Sequence, residues 1–193
     1  MPIKLPAPVN VDDVNFETHL VLVGSDSDSE GYAVPRSAAK LSGLLTDLLA
    51  TTSEGDELKI PINNFHSEAA RAIACWMCHF AEAGEVPKAT SIPRPAPDAQ
   101  GALVPAKEVT AFEAEFVAAV LPPLGSTELR MHVTLLNAAN FLNVRELLIL
   151  LGCALAMRFR GRDLDQIREL MEHQLPLTVS DPFSWPADLL ASS

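Results

Sequence analysis

The spacing of apolar positions divides this chain into a mixed front half and a helical back half. Thr18 to Val23, THLVLV, is a β-branched apolar run that predicts a strand. Residues 25–31 form an acidic turn, after which Tyr32–Val34 is placed to return as a second strand. From Ser37 to Ala50 the period changes. Leu41, Leu44, Leu45, Leu48 and Leu49 fall at i, i+3, i+4, i+7 and i+8, which predicts one helix. After a polar loop, Leu58–Ile62 alternates, and Pro61 predicts a sheet edge or strand end. A helix from about Ser67 to Ala83 carries Ala70, Ile73, Ala74, Met77 and Phe80 on one stripe, with Gly84 as its stop. Residues 84–107 contain Pro87, Pro93, Pro95, Pro97 and Pro105 and predict a linker. A short helix, Val109 to Val120, ends at Pro122–Pro123. Residues 1–15, Pro-rich and acidic, are read as loose or as an add-on strand.

Residues 126–171 predict three further helices. Asn143 with Glu146, and Asp163 with Gln166, are spaced as capping boxes, and Gly161 suits a left-handed helix end between them. Leu147, Leu148, Leu150, Leu151, Leu155 and Phe159 cover more than one face of the middle helix, so it is buried on several sides. Ile167, Leu170 and Met171 form one stripe on the last helix. Two readings stand at this point: private core, or a surface completed by another protein. Beyond residue 173, Pro176, Pro182 and Pro186 preclude one continuous helix in the tail.

Charge narrows the function classes. A net charge of −11 argues against nucleic acid, which needs Lys and Arg clusters that this chain lacks. It also disfavours anionic membranes. No run of 18 apolar residues and no basic-then-apolar leader is present, so a soluble intracellular protein is expected, cytoplasmic or nuclear. Cys75, Cys78 and Cys153 lie in apolar helical contexts and read as reduced packing residues.

Three short motifs look like chemistry. Cys75-Trp76-Met77-Cys78-His79 copies the covalent haem-attachment pattern, but it lies inside a predicted amphipathic helix without an export signal. No second ligand pair at zinc-finger spacing accompanies it. Residues 26–31, DSDSEG, copy the start of a calcium-binding loop, yet position twelve is Ser37 rather than Glu and the flanks read as strand. His19, His66, His79, His132 and His173 are scattered, with no nucleophile elbow, phosphate loop or H-E-x-x-H motif. The reading is a protein without catalytic residues, cofactor or metal.

The order of elements is strand pair, helix, strand, helix, proline linker, short helix and an all-helical end. Within it, Ala138-Ala139-Asn140-Phe141-Leu142-Asn143-Val144 resembles the A-A-N-Y-L-D-I segment of the S-phase kinase-associated protein 1 (Skp) family, and Leu147-Leu148 follows at the family spacing. Arg160-Gly161-Arg162-Asp163 resembles the family's K-G-K-T, and Gln166-Ile167-Arg168 its E-E-I-R. Upstream, Trp76 and His79 match W-C-T-H, Ile60 to Asn64 resembles P-L-P-N-V, and Phe112, Glu115 and Phe116 fit W-D-x-E-F. The resemblance covers residues 18–172 and is most specific in the last fifty.

That resemblance implies an α+β protein with the BTB/POZ fold: a small three-stranded sheet with helices, then a C-terminal helical extension that binds F-box proteins. The implied division is an N-terminal extension (1–17), a BTB/POZ-like domain (18–142) holding the proline-rich loop, F-box-binding helices (143–173) and an irregular tail (174–193). It implies a non-catalytic adaptor linking an F-box protein, with or without leucine-rich repeats, to a cullin in an SCF-type ubiquitin ligase. The cullin contact carries over to Asn140 and Phe141. The F-box contact carries over to Leu147, Leu148, Leu151, Leu155, Phe159, Ile167, Leu170 and Met171, with Trp185 set against the family's C-terminal Trp. The alternative is a structural subunit, paired with an F-box or leucine-rich-repeat protein in a cytoskeletal or kinetochore assembly without cullin. A homodimer through the BTB side is a further expectation. Two departures are plain: Phe141 lacks the family tyrosine's hydroxyl, and Leu164 replaces the proline that some lineages hydroxylate.

Overall fold

The computed structural model describes residues 3–27, 29–53, 55–62, 65–84, 87, 109–123 and 129–174. The sheet begins from the apolar run: β2 (His19–Gly24) and β3 (Glu30–Pro35) pair antiparallel, with Leu20 opposite Val34 and Leu22 opposite Tyr32. β4 (Lys59–Ile62) runs parallel to β2. The expected three-stranded sheet gains a fourth member, because β1 (Val9–Asn10) pairs with Glu30 and Gly31 across β3, in the order β1-β3-β2-β4. Of the two readings of the N-terminal segment, the add-on strand is the one found. Asn10 ends it by accepting from the Asp12 N–H and opening a 3₁₀ turn, Val11–Asp13.

The N-terminal segment also explains the unbroken apolar run in β2. Leu20 and Leu22 face the helices, while Val21 and Val23 face the opposite side, where Val11, Val14 and Phe16 cover them. A strand covered on both faces reads as continuous apolar sequence rather than alternation. At the other edge β4 alternates, with Ile60 and Ile62 buried and Lys59 and Pro61 exposed. Pro61 offers no N–H to a further strand and so sits where an edge tolerates it.

The predicted helix over 37–50 divides in two. A 3₁₀ helix (Arg36–Leu41) stops at Ser42, and α1 (Gly43–Thr51) starts there. The Ser42 hydroxyl breaks the run by accepting from the Leu45 N–H, 3.1 Å, as the cap of α1. α2 (Ser67–Ala83) lies across β2 and β3; its small residues Ala69, Ala70, Ala72 and Ala74 are buried there beside Ile73, Trp76 and Met77. Gly84, at φ 66°, closes it as expected. α3 (Ala111–Val120) opens on a capping box in which Thr110 and Glu113 bond reciprocally.

Three helices complete the chain: α4 (Arg130–Phe141), α5 (Arg145–Phe159) and α6 (Leu164–Gln174). One core cluster joins β2, β3, β4 and α2 to α4 and α5, running from Leu20 to Ala154. α6 adds Leu170 as a buried residue but makes only slight contact with the other elements. No helix among the described residues is long and apolar enough to cross a membrane.

Candidate interaction surface

The corner between α4 and α5 is built differently from the capping box expected at Asn143 and Glu146. Asn143 has φ 52°, a left-handed backbone that its short polar side chain tolerates. Its N–H donates to the Asn140 carbonyl at 3.0 Å, and the Val144 N–H donates to the Ala139 carbonyl at 2.9 Å. These two bonds are a Schellman stop, so Asn143 closes α4 instead of opening α5. Val144 is the residue before α5, and no side chain caps that helix. The signal is ambiguous in sequence, since Asn suits both kinds of helix end.

This corner docks onto the start of α1. Ser42 donates its hydroxyl proton to the Leu142 carbonyl, and the Gly43 N–H donates to the Asn143 carbonyl at 3.1 Å. A Cβ at Gly43 would collide with the Asn143 side-chain amide, so glycine here leaves that amide its place. The consequence is a rigid platform that leaves Asn140 and Phe141 on the outside. Phe141 is 45% exposed, and Leu164 at the start of α6 is 70% exposed; they are the exposed large hydrophobics of the described residues.

The eight side chains assigned to F-box contact on α5 and α6 fall into two groups. Leu147 and Leu151 are fully buried and belong to the core, and Leu170 is buried as well. Leu147 and Leu151 face inward because α5 packs on α4 along that side, so a partner reaches them only by opening the fold. Leu148, Leu155, Phe159, Ile167 and Met171 are half-buried. Trp185 lies outside the described residues.

At 3.6 residues per turn the partition of α5 is clean. Arg145, Leu148, Ile149, Gly152, Leu155, Ala156, Phe159 and Arg160 occupy about 140° of the helix circumference, and all are half-buried or exposed. Every fully buried α5 residue lies on the remaining arc. Among the described residues, none of the open-arc side chains joins the core. The α5 reading as apolar all round is therefore one core face and one half-buried face. Ile149, Gly152 and Ala156 were not singled out by sequence, although their angular position beside Leu148 and Leu155 places them on that arc.

α6 is capped as expected: Asp163 accepts from the Gln166 N–H at 2.8 Å, and the Gln166 side chain accepts from the Asp163 N–H at 3.1 Å. Gly161 at φ 75° makes the turn before it. From residue 129 to 174 the chain carries six arginines and five acidic residues, a net +1 within a total of −11.

Beneath the surface two polar groups fix α5. His132 on α4 is fully buried and its Nε2 lies 2.8 Å from the Leu151 carbonyl, which makes Nε2 the protonated nitrogen. Burial holds its pKa down from 6.5 to about 4, with Arg158 pushing the same way. Arg158, at the end of α5, donates to the Pro122 and Pro123 carbonyls and pins the chain beyond α3.

The motifs that looked like chemistry have structural partners. Cys75 is buried on α2, and burial raises its pKa. Cys78 donates to the Ala33 carbonyl and is pushed up to about 11 by burial, so both thiols are protonated at neutral pH. The His79 ring stacks on Phe112, centroids 3.4 Å apart. Asp26 accepts from both the N–H (2.7 Å) and the hydroxyl (2.6 Å) of Ser67 at the start of α2. The Ser67 hydroxyl is the main cause of its lowered pKa, and a carboxylate there complements the helix N-terminus. No cluster of three or more metal-binding side chains is present among the described residues.

Comparison with protein-family profiles and with curated proteins finds no match to this chain.

Proposed function

We propose that this protein is a divergent Skp-type adaptor with the BTB/POZ fold, which binds an F-box protein through α5 and α6 and joins it to a cullin. The observation that carries the reading is the open arc of α5: Leu148, Ile149, Leu155 and Phe159 are apolar, half-buried and, among the described residues, outside the core clusters. α6 supports it. An isolated helix of eleven residues is marginal in water, and α6 has only slight support from the elements described. A partner that covers both helices supplies the missing burial, as in obligate interfaces that resemble a divided core. The cullin half of the reading rests on Phe141, an exposed aromatic on a rigid corner in the segment that resembles the family's cullin-facing motif. Aromatic side chains at such positions are frequent anchors of interfaces.

The test is affinity purification of the full-length chain followed by identification of what comes with it. The expected result is an F-box protein together with a cullin. Recovery of an F-box protein without any cullin converts the reading to a structural subunit of another assembly. Recovery of neither overturns it.

A further inference from the structure

The chain continues past α6 for nineteen residues, LPLTVSDPFSWPADLLASS, at positions 175–193. Seven of them are large and apolar, Phe183, Trp185, Leu189 and Leu190 among them, and only Asp181 and Asp188 are charged. Segments that remain solvated are poor in such side chains and rich in charge. This one has the composition of a segment held against an apolar surface, and it is too short to build a core of its own.

The arc of α5 is an apolar surface close to it along the chain. Leu148, Ile149, Leu155 and Phe159 are less exposed than Phe141, at 45%, or Leu164, at 70%, yet neither core cluster of the described residues includes them. The reach is sufficient. α6 carries the chain about 16 Å from the end of α5. An extended run of nine residues, 175–183, spans about 30 Å, more than the length of α5, about 22 Å. Residues 183–190 can therefore return to any point of the arc.

We propose that residues 183–190 seat on the apolar arc of α5 in the free chain, with Trp185 against Leu148 and Leu155, and that a partner gains this face only by displacing them. Because the segment belongs to the same molecule, it competes at a high effective concentration that dilution leaves unchanged. The proposal rests on the adaptor reading only for the identity of the displacing partner as an F-box protein.

The test reads tryptophan fluorescence in the full-length chain, which has two tryptophans. Trp76 is fully buried on α2, so Trp185→Phe isolates its signal, and the difference from wild type reports residue 185. That difference is expected to be blue-shifted from free tryptophan amide and at least fivefold less sensitive to acrylamide, at every protein concentration. Leu148→Asp and Leu155→Asp on the arc, and Leu189→Asp with Leu190→Asp on the tail, are each expected to return it to the free value. Circular dichroism and the Trp76 emission should stay as in wild type. Wild-type Trp185 emission equal to that of the free amide overturns the proposal. Shielding that survives both arc substitutions puts the tail on another surface, and shielding that fades on dilution assigns the seat to a second copy; either result overturns it. In pull-down, the tail variant is expected to recover at least threefold more F-box protein than wild type, and equal or lower recovery overturns the competition. A solvent-exposed Trp185 with an F-box protein recovered sinks this proposal and keeps the adaptor reading. A Trp185 shielded through the arc leucines, with no F-box protein recovered by either chain, does the reverse.

Discussion

Ser42 and Leu142 are one hundred residues apart in sequence and joined by a hydrogen bond, with the Ser42 hydroxyl donating to the Leu142 carbonyl. The same oxygen accepts from the Leu45 N–H. One buried hydroxyl therefore caps α1, satisfies a carbonyl at the end of α4, and holds the corner that presents Phe141. Removing it strands the Leu45 N–H and leaves the Leu142 carbonyl with only the longer bond from the Leu44 N–H, 3.4 Å, which costs more than an exposed cap alone.

Ser42→Ala is expected to destabilise the chain by about 2–3 kcal/mol, read as a lower urea midpoint with unchanged slope. A loss below about 0.5 kcal/mol, the scale of an ordinary surface change, contradicts the double role.

The buried imidazole of His132 makes stability depend on pH. Its folded pKa of about 4 lies below the ordinary value of 6.5, so the unfolded chain binds the proton more readily. The stabilisation is complete above 6.5 and is lost as pH falls from there through 4. The full difference is about 3 kcal/mol. Urea unfolding of wild type and His132→Leu between pH 4 and 7 isolates it. The difference in stability between the two proteins should shrink across that window as wild type weakens. Parallel curves contradict the assignment of a buried neutral imidazole.

Much of the element order was legible because the residues that end elements act locally. Gly84, Gly161 and the pair Asp163–Gln166 terminate or cap helices through bonds within a few residues, and they stand where sequence puts them. Pro61 marks an edge for a similar local reason. What sequence left undetermined is either ambiguous locally or set by distant partners. Ser42 and Asn143 each end an element by local bonds, with residues that suit more than one kind of helix end. It is the docking of these two corners, Ser42 on Leu142 and Gly43 on Asn143, that spans a hundred residues. The same limit applies to the surface. Leu147 and Leu148 are neighbours of identical chemistry, and only the packing of α5 on α4 decides that the first is buried and the second half-open.

Phe141→Lys tests the corner. Because Phe141 is an exposed large hydrophobic, the substitution is expected to change stability by no more than about 0.5 kcal/mol. A cullin present in the wild-type pull-down is expected to disappear, while the F-box protein remains. A folded Phe141→Lys variant that retains the cullin removes this residue from the interface.

The three thiols are expected to be slow toward an aromatic disulfide reagent at pH 7.5. Cys75 and Cys153 are buried, and Cys78 is held protonated up to about 11. Thiolate is the attacking species, so reaction awaits opening of the chain. Rates should rise steeply in denaturant, to three thiols per chain. Prompt reaction of any thiol in native buffer contradicts the packing around α2 or α5.

The two faces of α5 separate folding from binding. Leu151 is fully buried, so Leu151→Asp places a carboxylate in the core and is expected to cost at least about 3–5 kcal/mol. That loss is enough to unfold a domain of ordinary stability, and any loss of partner would then report unfolding. Leu155 is half-buried on the open arc. Leu155→Asp is expected to cost about 1 kcal/mol or less in the free chain and to weaken the F-box partner at least tenfold, because burying the new charge in the interface is unfavourable. Circular dichroism and melting establish which variant remains folded, and pull-down of the partner reads binding. Equal destabilisation by the two substitutions contradicts the division of α5 into a core face and an open face; a folded Leu155→Asp chain that binds as wild type contradicts the open arc as the partner's seat.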